Sequence, residues 1–237
     1  MLENGVSEPL SQAAKALLSL RRKLLVGAFL FLGLTVFYYV LSPRILFHLT
    51  AHLNQKLAFF GVLESFLALL KVAISCAILT LIPYFLWLLW LLACEVFGFR
   101  KRTGFWFILA GVLLFYGGAT FCYFVTLPYG VKFLLSFQKE NIVPKIAVGH
   151  FVNFVGLFLL AFGTIFELPL IMVTLTKARL LNPHTAARFR RHAILIIVIL
   201  AAIITPTPDA FNLALMAVPL YLLFEVGLLC SKLAAKG

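Results

Sequence analysis

Six apolar stretches that contain no Lys, Arg, Asp or Glu constrain the fold of this chain more than any other feature. They cover residues 24–41, 72–94, 103–131, 146–166, 193–204 and 210–224. A helix needs about 20 apolar residues to cross the ~30 Å hydrocarbon core of a bilayer. Only 12% of the residues are charged, whereas soluble domains carry about 25%. The sequence therefore excludes a soluble domain and predicts an all-α integral membrane protein with six transmembrane helices.

The spacing of these stretches predicts helices at residues 24–42, 68–96, 104–127, 150–176, 192–204 and 211–230. Because no Gly/Ser linker, long polar region or internal repeat divides the chain, we expect one polytopic membrane domain over residues 1–237. The fifth stretch has twelve residues, or roughly 18 Å of helix, and the sixth helix is only slightly longer than a minimal span. We therefore expect short helices five and six, with a bilayer that is thinned beside them.

The basic residues orient the predicted helices. With six crossings, 14 of the 20 lysines and arginines share one side: Lys15, Arg21, Arg22, Lys23, Arg100, Lys101, Arg102, Lys177, Arg179, Arg188, Arg190, Arg191, Lys232 and Lys236. The positive-inside rule then places both termini in the cytoplasm. The net charge of +12 is mostly a topology signal, and we expect no nucleic-acid partner. The first apolar run is long and lacks a small-residue cleavage site, so no cleaved presequence is expected.

Glu167 is the most informative single residue, because it lies in the apolar stretch 146–176 and precedes Pro169 by two positions. A carboxyl group at that depth costs several kcal/mol unless it is paired or protonated, so it indicates a functional site. We expect a largely uncharged carboxyl that faces lipid or a groove and engages a partner. The structural alternative is a neutral acid hydrogen-bonded to a neighbouring helix.

The other polar residues at membrane depth or at helix ends are few. They are Glu64, Glu95, Asn153, Asp209, Asn212 and Glu225. Asp209 follows Pro208, and we expect it to cap the outer end of helix six. For Glu225 we expect a carboxylate solvated at the cytoplasmic interface. Several prolines interrupt or end the apolar helices and should bend them: Pro83, Pro128, Pro169, Pro206, Pro208 and Pro219.

No set of residues indicates catalysis or a metal site. A nucleophile, a base and an orienting acid do not occur together, and the four cysteines are scattered without CxxC spacing. His48 and His52 are spaced i, i+4, but a third ligand is missing nearby in the sequence. We expect no enzymatic activity, no metal and no cofactor.

Several strings resemble the TatC family, the multispanning subunit of the twin-arginine protein translocase. The main ones are FGTIFELP at Phe162–Pro169, IITPTPD at Ile203–Asp209 and AVPLYLLFE at Ala217–Glu225, joined by LESFLALLK at Leu63–Lys71 and FRRHA at Phe189–Ala193. The resemblance implies a concave, glove-like bundle in the bacterial cytoplasmic (inner) membrane. It also implies a protein that docks twin-arginine signal peptides of folded precursors at its cytoplasmic face. Single-span TatA/TatB-type subunits would be partners, in a homo- or hetero-oligomer driven by the proton-motive force.

The resemblance also implies roles for particular residues. Intramembrane, partner-subunit or structural roles would belong to Glu64, Pro83, Phe162, Gly163, Glu167, Pro169, Pro206, Asp209, Asn212, Pro219 and Glu225. A signal-peptide face would comprise Ser19, Arg21, Glu95, Lys101 and Arg102. Ser19 and Lys101 stand where the family carries Glu, and a twin-arginine segment facing Lys101 would meet repulsion. We hypothesise that Glu95 takes over part of that contact.

Two other functions remain open. A proton-coupled small-solute transporter would use Glu167 as its titrating group, but it requires a midplane pocket with further polar residues, and the sequence supplies few beyond Asn153. An intramembrane enzyme would need His, Ser or Asp residues on one helix face, and no such arrangement is apparent. The translocase subunit is therefore the leading interpretation.

Overall fold

The computed structural model describes residues 4–52, 57–58, 61–99, 101–136, 146–204 and 210–235. These residues are almost entirely helical. The helices are α1 (Asn4–His52), α2 (Val62–Phe97), α3 (Gly104–Phe121), α4 (Leu127–Ser136), α5 (Val148–Phe166), α6 (Leu168–Lys177), α7 (Pro183–Arg188), α8 (Arg190–Ile204) and α9 (Ala210–Ala234). A 3-10 turn (Lys101–Thr103) precedes α3, and a π-helix (Cys122–Thr126) joins α3 to α4.

Within the described residues, five helical segments are long and apolar enough to cross a membrane. They are Arg21–His52, Leu63–Phe97, Gly104–Lys132, Val148–Lys177 and Met216–Ala234. The predicted fifth span, α8, has 15 residues and reaches roughly 22 Å, as its short apolar run indicated. The last helix differs from expectation: α9 continues to Ala234 and has 25 residues, enough to span. The prediction of an all-α membrane protein is confirmed.

The first helix does not end before Pro43 as predicted, but continues to His52. Proline has no N–H to donate to the carbonyl four residues earlier, which is that of Tyr39. The hydroxyl of Ser42 donates to this carbonyl instead, at 2.7 Å. Since the freed acceptor is satisfied locally, the helix passes through the proline, and part of the predicted outer loop is helical.

The third and fourth predicted spans are each modified at a proline. Before Pro128 the backbone widens into the π-helix, where the N–H of Leu127 donates to the carbonyl of Cys122, and helix then continues to Ser136. Such bulges relieve the clash and the lost hydrogen bond that proline causes. Before Pro169 the predicted span 150–176 divides into α5 and α6, with a single turn residue, Glu167, between them.

Among the described residues, two short strands that the sequence did not predict connect the segment after α1 to the segment before α5. β1 (Leu57–Ala58) pairs in parallel with β2 (Ile146–Ala147), with Leu57 opposite Ile146. Close by, Oε1 of Glu64 accepts the N–H of Gly149 at 3.3 Å, in the first turn of α5. These contacts hold the start of α2 against the start of α5.

The main core is formed by residues of α5, the π-helix, the start of α4, α8 and α9. Its fully or nearly fully buried members are Cys122, Leu127, Phe151, Val155, Phe158, Phe162, Ile197, Ala201, Met216 and Leu220. In contrast, many large apolar side chains are exposed, such as Phe29 (74%) and Val40 (73%) on α1. Exposed apolar surface of this extent is typical of a protein whose outside contacts lipid.

Candidate functional site

The break between α5 and α6 places Glu167 in the middle of a membrane span. Its N–H donates to the carbonyl of Thr164 at 3.2 Å, and its own carbonyl accepts the N–H of Ile171 at 3.0 Å. Pro169 cannot donate to the carbonyl of Ile165, so the regular helix pattern is interrupted there. The sequence pair Glu167 and Pro169 therefore produces both the carboxyl group and the break that carries it.

Neighbouring helices approach this break closely. A Cβ on Gly163 would lie 2.6 Å from the ring of Phe115 in α3, and a Cβ on Gly227 in α9 would lie 3.0 Å from the Cα of Pro169. A Cβ at either position would be closer than ordinary van der Waals contact, so any side chain there would force its neighbour to shift. The break is thus enclosed by α3 on one side and α9 on another.

This enclosure corrects our expectation that Glu167 faces lipid or a groove. The residue is 7% exposed, and within the described part of the chain its buried Oε1 has no hydrogen-bond partner. The alternative prediction, a hydrogen bond from the neutral acid to a neighbouring helix, therefore does not hold for this oxygen. Buried polar atoms are rarely left unpaired, so this oxygen requires an explanation.

The predicted signal-peptide face is organised by α2. Near the start of the first span, the Tyr84 hydroxyl donates to the carbonyl of Lys23, and the Lys23 ammonium lies 5.4 Å above the ring of Trp87. One turn further along α2, the ring of Trp90 stacks on Phe99 at 5.7 Å between centroids. The α1 segment that carries Arg21 and the connection that carries Arg102 are therefore both attached to the last turns of α2.

The residues of this face are only partly described. Arg21, Glu95 and Arg102 are exposed. Ser19 lies in α1 and Lys101 in the 3-10 turn, but their side chains fall outside the described part. Sequence reasoning missed the anchoring roles of Tyr84 and Trp87, although the aromatic string at 84–90 was a visible signal.

Glu225 is an ion-pair residue rather than a simply solvated carboxylate. Its Oε2 lies 2.8 Å from Nη2 of Arg190, and its Oε1 accepts the Tyr221 hydroxyl at 3.0 Å. The side chains of Arg190 and Glu225 are 46% and 23% exposed. The pair joins the start of α8 to the second half of α9, and the sequence separation of 35 residues hid it from sequence reasoning.

The remaining predicted residues divide into two groups. Phe162 is fully buried in the core, and Pro83 and Pro219 lie inside α2 and α9. Pro206 and Asp209 lie outside the described residues, and Asn212 is described only as part of the α9 backbone. The cap expected from Asp209 therefore stays a prediction.

Comparison with known proteins identifies the family. The family model described as Sec-independent protein translocase protein (TatC) matches residues 15–219. TatC of Carboxydothermus hydrogenoformans is 34% identical over 184 residues, which cover 76% of this chain and 74% of that protein. TatC of Desulforapulum autotrophicum is 30% identical over 223 residues, with 91% and 82% covered. A crystal structure of the twin arginine translocase receptor TatC superposes with a TM-score of 0.79 at 30% identity, covering 92% of this chain and 99% of that chain. The chain therefore belongs to the TatC family of multi-pass membrane proteins, components of the Sec-independent protein translocase.

Proposed function

We propose that this protein is the receptor and core subunit of a twin-arginine translocase. It docks the signal peptides of folded precursors at its cytoplasmic face and, with single-span TatA/TatB-type subunits, supports export driven by the proton-motive force. It works without bond-making chemistry, as one membrane domain of the bacterial inner membrane with both termini in the cytoplasm. Besides the family membership, the observation that carries the proposal is the buried carboxyl at the α5–α6 break.

The position of Glu167 at the break supports a role in coupling its state to partner-subunit contact, rather than a role in substrate binding. A buried carboxyl with an unpaired oxygen is most stable in the neutral form, since an isolated charge is strongly disfavoured away from water. Because α3 and α9 enclose the break, a partner helix could supply a donor to Oε1 only in a more open arrangement, and it would stabilise that arrangement over the enclosed one. We infer that partner-subunit contact and the state of Glu167 are linked in this way.

Replacement of Glu167 tests the proposal in a strain that lacks its own TatC. Glu167→Ala should reduce export of a twin-arginine precursor at least tenfold while the protein still accumulates in the membrane. Glu167→Gln, which matches the neutral acid in shape, should retain several-fold more export than Glu167→Ala. Thr164→Val, an exposed position one turn earlier, is the matched control and should export normally.

The outcomes separate the possible roles of the residue. If Glu167→Ala exported normally, the carboxyl would have no part in transport. Equal loss in the Gln and Ala variants would contradict the neutral form as the working state. Failure of both variants to accumulate, shown by immunoblotting of membranes, would assign Glu167 to folding alone.

The receptor role is tested separately by peptide binding. We propose that Glu95 supplies the acidic contact that the family would place at residues 19 and 101. Binding of a twin-arginine peptide to purified Glu95→Gln protein should be several-fold weaker than to the native protein, and a twin-lysine peptide is the specificity control. Undiminished binding would remove Glu95 from the recognition face.

The alternative of a proton-coupled small-solute transporter gains no support. A cavity of about 260 Å³ lies at membrane depth between α1, α2, α5 and the π-helix, and its lining is mainly apolar, with His48 and Ser75 among the polar exceptions. Glu167 is not among its lining residues. A titrating group that couples protons to a solute should line the solute site, so this cavity does not serve that function.

A further inference from the structure

Two adjoining depressions share Lys177, and together they have the chemistry of a site for an amphipathic ligand. The first is a cavity of about 220 Å³, lined chiefly by the aromatic and aliphatic side chains of Trp90, Phe99, Trp106, Phe107, Leu170 and Val173. The second is a wider depression of about 850 Å³, whose lining includes Lys177, Arg179 and His184. An apolar cavity and a basic depression therefore adjoin at one lysine.

The first cavity lies at the boundary of the membrane. One candidate span ends at Phe97, the next begins at Gly104, and a third ends at Lys177. The cavity is built from residues within about two turns of these three ends. A ligand there would have its apolar part at the edge of the hydrocarbon and its polar part at the level of the lipid headgroups.

The end of α6 positions the cations of the second depression. The N–H of Leu180 donates to the carbonyl of Leu175 at 2.9 Å, and that of Arg179 donates to the carbonyl of Thr176 at 3.0 Å. This is a Schellman motif in which Arg179 (φ 61°) occupies the position that glycine usually takes. Because backbone N–H groups already satisfy these carbonyls, the exposed side chains of Lys177 and Arg179 extend from the helix end as surface charges.

We propose that the two depressions form one binding site for an anionic phospholipid. An acyl chain occupies the aromatic cavity, and the phosphate lies between Lys177 and Arg179. Charge decides between this ligand and a peptide: Lys177 and Arg179 attract a lipid phosphate but repel a twin-arginine segment of the same sign. The exposed Trp106 at the cavity (70% exposed) is typical of aromatic side chains at the headgroup level.

Trp90 provides a reporter for the acyl chain. The chain has three tryptophans, and the double variant Trp87→Phe, Trp106→Phe leaves only Trp90, which is 7% exposed. Bromine atoms on an acyl chain quench a tryptophan only near contact, so bulk lipid should quench the buried Trp90 weakly. The variant is reconstituted into phosphatidylcholine bilayers that contain equal mole fractions of either brominated phosphatidylglycerol or brominated phosphatidylcholine.

Brominated phosphatidylglycerol should quench Trp90 at least twofold more than brominated phosphatidylcholine. Adding Lys177→Gln should reduce quenching to the phosphatidylcholine level. Lys132→Gln removes an exposed lysine of α4 that lines neither depression, so the excess quenching should persist. If Lys177→Gln does not fold, Arg179→Asn removes the neighbouring charge with a residue that tolerates left-handed backbone.

Three results would overturn the proposal. Equal quenching by the two brominated lipids would show that no anionic lipid is selected. Excess quenching that survives removal of the charge at Lys177 or Arg179 would place the phosphate elsewhere. Loss of the quenching on addition of a twin-arginine peptide, with peptide binding undiminished in pure phosphatidylcholine, would assign the cavity to the peptide.

Discussion

At the scale of single residues, glycines determine how closely the helices approach the Glu167 break. A Cβ placed on Gly163 would lie 2.6 Å from the ring of Phe115, and one on Gly118 would lie 2.8 Å from the carbonyl oxygen of Phe162. Gly117, one position earlier than Gly118 in α3, has no atom within 4 Å of such a Cβ. Neighbouring glycines of the same helix therefore serve different purposes, and only the tertiary packing distinguishes them.

This difference predicts unequal effects of alanine. Gly163→Ala should lower the free energy of unfolding by about 1–3 kcal/mol, because the methyl group forces Phe115 or the backbone to move. Gly117→Ala should leave it unchanged or raise it by up to about 1 kcal/mol, since alanine is the better helix former. Denaturation in detergent micelles, followed by near-ultraviolet circular dichroism, measures both. Equal stabilities of the two variants would contradict the close approach at Gly163.

At the scale of helices, Pro43 and Pro83 are accommodated by hydroxyl groups that replace the missing backbone donors, whereas a π-helix precedes Pro128 and a helix break precedes Pro169. Pro83 leaves the carbonyl of Leu79 without its usual N–H, and the Tyr116 hydroxyl of α3 donates to that carbonyl at 2.8 Å. Ser42 does the same within α1 for the carbonyl that Pro43 frees. In a bilayer such substitutes matter more than in water, because no solvent can satisfy the acceptor.

Tyr116→Phe tests the compensation at Pro83. Loss of the hydroxyl leaves the Leu79 carbonyl unpaired and should lower the free energy of unfolding by about 1–3 kcal/mol. Tyr129→Phe, at an exposed position of α4, is the matched control and should change it little. The same micelle denaturation provides the measurement, and equal effects of the two substitutions would refute the role of the Tyr116 hydroxyl.

The Arg190–Glu225 ion pair connects α8 to α9, and a double-mutant cycle measures its contribution. Because the Arg190 side chain is 46% exposed, Arg190→Gln and Glu225→Gln should show a coupling energy of only about 0.5–1 kcal/mol. The coupling should weaken as salt concentration rises, since exposed charges are screened. A cycle between Arg188→Gln and Glu225→Gln is the control, and coupling as large there would mean that the contact is not specific.

At the scale of the whole molecule, the length of α8 is the unusual feature. Its 15 residues reach roughly 22 Å, against about 30 Å of hydrocarbon, whereas α9 is long enough to span. The candidate spans have 19 to 35 residues, which is long enough for a bilayer of ordinary thickness. The mismatch between helix length and hydrocarbon thickness therefore lies on the side of the molecule where α8 is placed. We retain the prediction of local bilayer thinning for α8 and withdraw it for α9.

Bilayer thickness tests this prediction. Resistance to thermal unfolding should be highest in phosphatidylcholines with short acyl chains and should fall as the chains lengthen, because exposing the ends of α8 or compressing the bilayer costs free energy. Insertion of four leucines after Ile199 adds one turn, roughly 6 Å, and should move the optimum to longer chains. Stability that rises steadily with chain length in the native protein would exclude thinning.

Many features of this protein could be predicted from properties of the sequence alone, without knowledge of the fold. The lengths of apolar runs, the asymmetry of the basic residues and the depth of Glu167 are all local, so they predicted the helical membrane protein, the short α8 and the carboxyl inside a span. The strings that resemble the TatC family likewise predicted that the chain belongs to it. Even the passage of α1 through Pro43 depended on a local signal, the serine directly before the proline, which the prediction of a loop overlooked.

Only the tertiary structure decided which side chains meet. The Tyr116 hydroxyl and the Leu79 carbonyl are 37 residues apart, and Arg190 and Glu225 are 35 apart. Whether Glu167 is buried depends on how α3 and α9 pack against the α5–α6 break. The sequence indicates where that break lies, but not which helices pack against it. Lys177 likewise lines both an apolar cavity and a basic depression only because the ends of three spans come together there. Such contacts join distant segments, and no pattern within one segment specifies its partner.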